Sequence, residues 1–381
     1  MLNVEKLGQV FTPQPIVSMM LQLKKVNGTV LEPSCGDGAF FNTLTNAVGI
    51  EIDKEICPKN AFNTDFFDYP IDNKFDTIIG NPPYVRYQDI LPSTKKKLNL
   101  KLFDERSNLY LFFIEKSLRH LNDNGEIIFI TPRDFLKATS AIKLNNLLYQ
   151  NGTITDIIEL GDQKVFNGYS PNTIIWRYEK DNFSRITNYI KQFQYNNGQL
   201  LFTDNHYPVK FSDVFFVKVG AVSGLDSVFE NDEFGNADFV CSITRKTGKT
   251  KKMLYNQYHP YLDKYKVQLI KRRIKKFDES NWWQWGRLHY QSDLKRIYVN
   301  TKTRNKKPFF LNDSTYYDGS ILAIFPKNQD IDLQEVCNEL NAVNWDELGF
   351  VCDGRYLFSQ KSLENSILPK EFLKYIINTN I

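Results

Sequence analysis

The sequence contains no Cys-x-x-Cys pair. Its five cysteines (Cys35, Cys57, Cys241, Cys337 and Cys352) are odd in number and far apart, and its four histidines are scattered. Neither a disulfide framework nor a zinc centre is therefore expected to organise the chain. No apolar run approaches the roughly 20 residues a membrane helix needs. Met1-Leu2-Asn3-Val4-Glu5-Lys6 lacks the basic-then-apolar pattern of a secretory signal. The expected location is the cytoplasm, without membrane association. Internal repeats and low-complexity segments are also missing. One glycine-rich turn follows a candidate strand, but it has neither the full dinucleotide fingerprint nor the Lys-Ser/Thr ending of a phosphate loop. NAD and ATP are thus not its natural guests.

What is present is a long chain with segregated charge. Its 381 residues suffice for two domains, each with its own core. Residues 1–190 hold 21 Lys/Arg and 22 Asp/Glu, and residues 191–381 hold 27 and 22. Residues 245–307 alone hold 19 basic and 4 acidic side chains, a net of +15. Such an excess is the footprint of a nucleic-acid partner. The cations cluster at Arg245-Lys246, at Lys271-Arg272-Arg273 and around Arg304, with Trp282-Trp283-Gln284-Trp285 and Arg287 between them. Lysines there suit phosphate contact, whereas Arg245, Arg273, Arg287 and Arg304 suit guanine edges. The tryptophans suit a core or a wedge. A shorter run, Lys95-Lys96-Lys97, either clamps a nucleic-acid strand or forms a solvated loop.

Residues 1–180 alternate short apolar strands with helical stretches, as in a doubly wound sheet. Thr29-Val30-Leu31-Glu32 reads as a buried strand running into Pro33-Ser34-Cys35-Gly36-Asp37-Gly38, with a helix expected to start behind the glycines and turn its N–H groups toward a ligand. Val48-Gly49-Ile50-Glu51-Ile52-Asp53 reads as the next strand, with Glu51 placed to clasp two ribose hydroxyls. In Asn63-Thr64-Asp65-Phe66-Phe67, Asp65 can accept from an adenine amino group while Phe66 packs on the ring. A further strand, Phe75-Asp76-Thr77-Ile78-Ile79-Gly80, ends in Asn81-Pro82-Pro83-Tyr84.

That tetrapeptide suits a rare task. An amino group on an aromatic ring is a poor nucleophile because its lone pair is delocalised. Acceptors on both N–H bonds, the Asn81 side-chain oxygen and the Pro82 carbonyl, draw the nitrogen toward tetrahedral geometry as a bond forms. Two prolines stiffen the backbone, and Tyr84 offers a face on which an extruded base can stack.

These motifs, in this order, resemble the S-adenosylmethionine-dependent DNA adenine-N6 methyltransferases of type II restriction-modification systems, in the gamma-like class whose cofactor motifs precede the catalytic one. Gly8-Gln9-Val10-Phe11-Thr12-Pro13 is similar to the family's amino-terminal motif, which implies Thr12 near the methionine end of the cofactor. Glu32, Ser34, Gly36 and Gly38 are similar to its first cofactor motif. The resemblance further implies Glu51 and Ile52 at the ribose, Asp65 and Phe66 at the adenine, and Asn81, Pro82 and Tyr84 at the target amine, with Asn81 also beside the cofactor. Ser107-Asn108-Leu109-Tyr110 and Ile128-Phe129-Ile130-Thr131-Pro132 resemble later motifs of the same domain. Ser170-Pro171-Asn172-Thr173-Ile174-Ile175-Trp176-Arg177-Tyr178 resembles the strand whose aromatic residue covers the second face of the flipped base, a role placed on Tyr178, with Trp176 two positions away.

The implied architecture is the Rossmann-like α/β fold of class I methyltransferases over residues 1–185, followed by a mixed α+β target-recognition domain over residues 206–381. Residues 181–205 turn polar and lose the alternation, as a linker or crossover would. Val217-Lys218-Val219-Gly220-Ala221-Val222-Ser223-Gly224 resembles the opening of such a recognition domain. The implied cofactor is S-adenosylmethionine and the implied partner double-stranded DNA, with a separate cognate restriction endonuclease compatible with the pattern. No Pro-Cys dipeptide occurs, so thiolate attack on cytosine carbon 5 is disfavoured against direct transfer to nitrogen. Methylation of RNA or of a protein glutamine is the main rival, because the same tetrapeptide serves any planar nitrogen. The large basic carboxyl-terminal half argues against it.

Overall fold

A computed structural model describes residues 8–160, 172–204, 207–352 and 354–377. The chain divides into two compact units, Met1–Asp204 and Asn205–Ile381.

Among the described residues of the first unit, seven strands form one sheet: β1 (Val30–Glu32), β2 (Ala47–Glu51), β3 (Phe62–Asn63), β4 (Phe75–Gly80), β5 (Leu121–Pro132), β6 (Gly152–Glu159) and β7 (Thr173–Lys180). Their order is β3-β2-β1-β4-β5-β7-β6. β7 runs antiparallel to β5 and β6, and the neighbouring pairs from β3 across to β5 are all parallel. This is the Rossmann-like sheet expected. Its central strands are apolar on both faces (Leu31, Ile78, Ile79, Ile127 and Ile128 are all fully buried), as parallel strands covered on two sides must be. The strand order reverses between β1 and β4, so the crevice for a ligand opens beyond the carboxyl ends of these two strands. The residues that follow those ends are Pro33 to Gly38 and Asn81 to Tyr84.

Helix α1 (Gln14–Gln22) precedes β1, α2 (Pro92–Lys95) follows the Asn81 turn, α3 (Leu109–His120) precedes β5, and α4 (Ile142–Asn151) precedes β6. Asn108 caps α3 by accepting from the Tyr110 N–H. The helix expected behind Gly38 is absent. Only a short 3-10 turn, Phe41–Thr43, forms there, because β2 begins at Ala47 and leaves too little chain for an α-helix.

The polar stretch after residue 181 is not a linker. Gln192–Asn196 and Gln199–Thr203 pair as a hairpin, turned by Asn197 and Gly198 with φ of 46° and 89°. Phe193 and Leu200 of this hairpin join the core cluster of the first unit, which moves the boundary from residue 185 to 204. In the second unit, Phe215–Val219, Ile321–Pro326, Ile297–Asn300 and Phe309–Phe310 form an antiparallel sheet, and Ala237–Val240 joins a smaller one. Helix Leu333–Ala342 accompanies them, giving a mixed α+β unit. No helix among the described residues is long and apolar enough to cross a membrane.

Candidate active site

An open cleft lies at the carboxyl ends of β1, β2 and β4. Of the residues singled out by sequence, Ser34, Gly36, Glu51, Ile52, Asp65, Phe66 and Asn81 border it. Thr12, Glu32 and Gly38 are not among the residues that line it. Gly36 and Gly38 adopt φ of 52° and 86°, conformations that favour glycine, and a Cβ at Gly38 would come within 2.5 Å of Asn42.

The acid at the end of β2 is held in place by backbone. Glu51 Oε2 accepts from the Gly36 N–H at 2.8 Å, and Oε1 accepts from the Asp53 N–H at 2.9 Å. Burial raises the Glu51 carboxyl above its ordinary range, against the pull of those two N–H groups. Glu32 is 2% exposed, and its Oε2 has no hydrogen-bond partner among the described residues. Desolvation, with the charges of Asp37 and Glu51 nearby, lifts its carboxyl well above the usual range.

Asn81 is gripped on one side only. Its Nδ2 donates to the Val10 carbonyl at 3.1 Å and to Thr12 Oγ1 at 3.2 Å, while Ser34 Oγ donates to its backbone carbonyl at 3.2 Å. Its Oδ1 is buried and has no partner among the described residues. Two acceptors on Nδ2 fix which end of the amide is which, and the oxygen is left as an uncommitted acceptor. Gln9 of the same amino-terminal segment donates to Asp53 Oδ2 at 2.6 Å, tying that segment to the far side of the cleft. Tyr84 Oη donates to the Ile130 carbonyl at 2.8 Å, and its half-buried ring meets the edge of Tyr110.

Asp65 is already engaged. Oδ1 accepts from the Phe67 N–H at 2.9 Å, and Oδ2 accepts from Thr94 Oγ1 at 2.7 Å and Lys97 Nζ at 2.9 Å. Lys97 also pairs closely with Asp68. Lys97 therefore braces the Asp65 turn instead of standing free for DNA. Desolvation pulls its amine down, but its hydrogen bonds to Asp68 and Asp65 prevail and hold it above its ordinary value. Lys95 lies over the Tyr87 ring, and Lys96 is exposed. Thr94 gave no signal in sequence, since only the fold brings it to Asp65 across 29 residues.

The stacking role placed on Tyr178 is wrong. Tyr178 is fully buried, pairs in register with Ile127 and Ile154, and donates its hydroxyl to the Leu148 carbonyl at 3.2 Å. Gly80, next to Asn81, is level with Phe129 and hence with Trp176. Because β7 runs backwards, Tyr178 lies about 7 Å further toward the opposite end of the sheet. Trp176 is likewise core, donating to Thr131 Oγ1 at 2.9 Å. Ser170 and Pro171 of that motif lie outside the described residues.

In the second unit Lys246, Lys271, Arg273 and Arg304 are exposed. Arg245 donates through Nε to the Lys307 carbonyl at 3.1 Å. Arg287 donates to the Gly220 carbonyl from Nε at 3.2 Å and from Nη2 at 3.0 Å. Arg272 departs from expectation: it is 8% exposed and donates to the backbone carbonyls of Leu269, Ser223, Trp282 and Gln284, so it is a structural residue and not a DNA contact. Trp282 and Trp285 are core.

Residues 21–166 match the Eco57I restriction-modification methylase family. Among curated relatives, the type II methyltransferase M.HincII of Haemophilus influenzae is 34% identical over 221 residues, 55% of this chain and 42% of that protein. M.TthHB8I of Thermus thermophilus is 33% identical over 196 residues, 46% of this chain and 45% of that protein. The aligned region thus spans under half the length of these relatives. Among solved structures, the type IIL restriction-modification enzyme MmeI in complex with DNA superposes with a TM-score of 0.57 at 12% identity, covering 95% of this chain and 64% of that one. This is a likeness of fold. The Eco57I-type segment contains β1 to β6, Glu51, Asp65 and Asn81, and so carries the core of the cleft described above.

Proposed function

We propose that the chain transfers a methyl group from S-adenosylmethionine to the N6 amino group of an adenine flipped out of double-stranded DNA, as the modification enzyme of a restriction-modification system. The observation that carries this reading is the buried, unpartnered Oδ1 of Asn81, its amide held by Val10 and Thr12. Each buried acceptor needs a donor, and an exocyclic amine entering from the cleft supplies one.

The residues present fit the cofactor. Asp65 and Phe66 would hold its adenine, Glu51 its ribose hydroxyls, and the Gly36 turn with Glu32 its zwitterionic tail, whose positive group answers the unpaired Glu32 oxygen. When bound, the cofactor supplies an electrophilic sulfonium methyl. Asn81 Oδ1 then accepts one N–H of the target amine and the Pro82 carbonyl the other, which aligns the nitrogen lone pair, while Tyr84 gives the base a stacking face. The proton leaves to water after the methyl arrives. The exposed cations of the second unit support a target-recognition role for it, in keeping with the type II methyltransferases to which part of the chain is similar.

The test is incubation of the full chain with tritium-labelled S-adenosylmethionine and unmethylated genomic DNA, followed by nucleoside analysis. Label in N6-methyladenine is expected. Label in N4-methylcytosine, or only in RNA or protein, would refute the assignment.

A further inference from the structure

Between helix Lys266–Ile270 and strand Ile297–Asn300 of the second unit, 26 residues run without helix or strand, apart from a single bridge at Arg287. Arg272 holds this stretch together. Its guanidinium reaches four backbone carbonyls from separate segments and lies 3.9 Å from the Phe277 ring centre. Desolvation lowers its pKa to about 10, the mark of a cation committed to the interior. Ile274, though 41% exposed, is held on one side. It packs where Gly224 and Gly286 leave room, and a Cβ at either would come within 2.5 and 2.6 Å of its side chain. The loop is thus held at buried Arg272 and Phe277, with Ile274 packed between them, while Lys271 and Arg273 on either side of Arg272 are exposed, with no side-chain partner among the described residues.

Arg287 adjoins this platform through Gly286, and its backbone exchanges hydrogen bonds with Val222. Unlike Arg273, it is oriented in advance. Nε and Nη2 both donate to the Gly220 carbonyl, which leaves Nη1 and the second Nη2 proton without a partner among the described residues. That leaves two parallel donors on a guanidinium whose plane is already fixed. Guanine presents two matching acceptors, O6 and N7, in the major groove. A side chain held in place before binding gives up little entropy when the base arrives.

We propose that Arg287 reads a guanine of the recognised sequence, that Lys271 and Arg273 grip phosphates beside it, and that buried Arg272 is the keystone of this reading edge. The proposal rests on the reading of the chain as a DNA methyltransferase. A merely structural Arg287, clamping Gly220 and nothing else, would leave sequence choice untouched.

The experiment maps methylated sites on unmethylated genomic DNA and measures DNA affinity against salt for the wild-type chain, Arg287→Ala, Arg287→Lys and the double variant Lys271→Ala/Arg273→Ala. Thermal unfolding verifies that each is folded, and Arg287→Lys decides should Arg287→Ala unfold. Both Arg287 variants are expected to lose roughly tenfold or more discrimination at one G·C position. The double variant is expected to keep the motif while the slope of log Kd against log salt flattens by about 1.8, roughly 0.9 for each phosphate no longer gripped. A folded Arg287→Lys that keeps the full motif would overturn the guanine assignment. An unchanged slope in the double variant would overturn the phosphate contacts. Wild-type chain that labels no DNA would instead bring down the methyltransferase reading itself, so the failures are distinguishable.

Discussion

Asn81 Nδ2 donates to Thr12 Oγ1 at 3.2 Å, a bond that spans 69 residues of sequence and ties the amino-terminal segment to the Asn81–Tyr84 turn. With the Val10 carbonyl on the same nitrogen, it prevents the Asn81 amide from turning its NH2 group into the cleft. On the proposed function, Thr12 positions the Asn81 amide. Replacing Thr12 by Val removes one of two acceptors and should lower kcat about tenfold, the worth of one hydrogen bond of about 1.4 kcal/mol, with cofactor affinity little changed. Thr12→Ser should restore kcat. Single-turnover methylation beside calorimetric cofactor binding checks this, and equal loss in Thr12→Ser and Thr12→Val would refute the role.

Asn81→Ala removes the acceptor itself. Loss of one oriented polar group of this kind costs on the order of 2.7 to 4 kcal/mol of transition-state stabilisation, a 10²- to 10³-fold fall in methyl transfer. Cofactor binding should survive, because Glu51 and Asp65 are held by other bonds. If cofactor affinity fell as far as the rate, Asn81 would be a binding residue rather than a catalytic one.

Lys97 distinguishes a brace from a DNA clamp. It joins Asp65 to Asp68, so Lys97→Ala should loosen the Asp65 turn and change cofactor affinity by a few-fold, an exposed-to-half-buried ion pair being worth about 1 kcal/mol or less. The salt slope of DNA binding should not move. A slope reduced by about 0.9 would return Lys97 to the phosphate contacts.

Most of the cleft is legible in the sequence for a physical reason. Parallel strands buried on both faces are continuous apolar runs, so Thr77-Ile78-Ile79 and Val30-Leu31 announce themselves, and Pro33, Ser34 and Asn81, just beyond these runs, border the cleft. Strand direction leaves no such trace. Thr173 to Tyr178 reads the same whichever way it runs, and for that reason the sequence alone sets Tyr178 at the wrong end of the sheet. A run of cations is equally silent about which member folds inward. Arg272 looks like Arg273 until the carbonyls of Ser223, Trp282 and Gln284 converge on it. Apolar residues behind a glycine turn suggest a helix, but whether one forms depends on the distance to the next strand, and β2 starts too soon.

The buried histidines give stability a pH dependence of definite sign. Desolvation lowers His120 to about 4, and the charges of Lys116, Lys74 and Arg119 add to it against the Asn73 carbonyl. Nδ1 donates to that carbonyl at 2.7 Å, while Nε2 is buried without a partner among the described residues, so a second proton would have no acceptor. Because the folded pKa lies below the unfolded value of about 6.5, the unfolded chain binds more protons between the two, and stability contributed by neutral His120 is lost as pH falls through that window. From pH 7.5 to 5 the loss is about 2 kcal/mol. Glu32 and Glu51, raised by burial, act in the opposite direction over part of the same range, so the wild-type profile alone does not isolate the histidine. The difference between wild type and His120→Gln does. Urea unfolding at the two pH values should show that difference shrinking by about 2 kcal/mol at pH 5. A difference independent of pH would mean that His120 carries its proton in the folded protein.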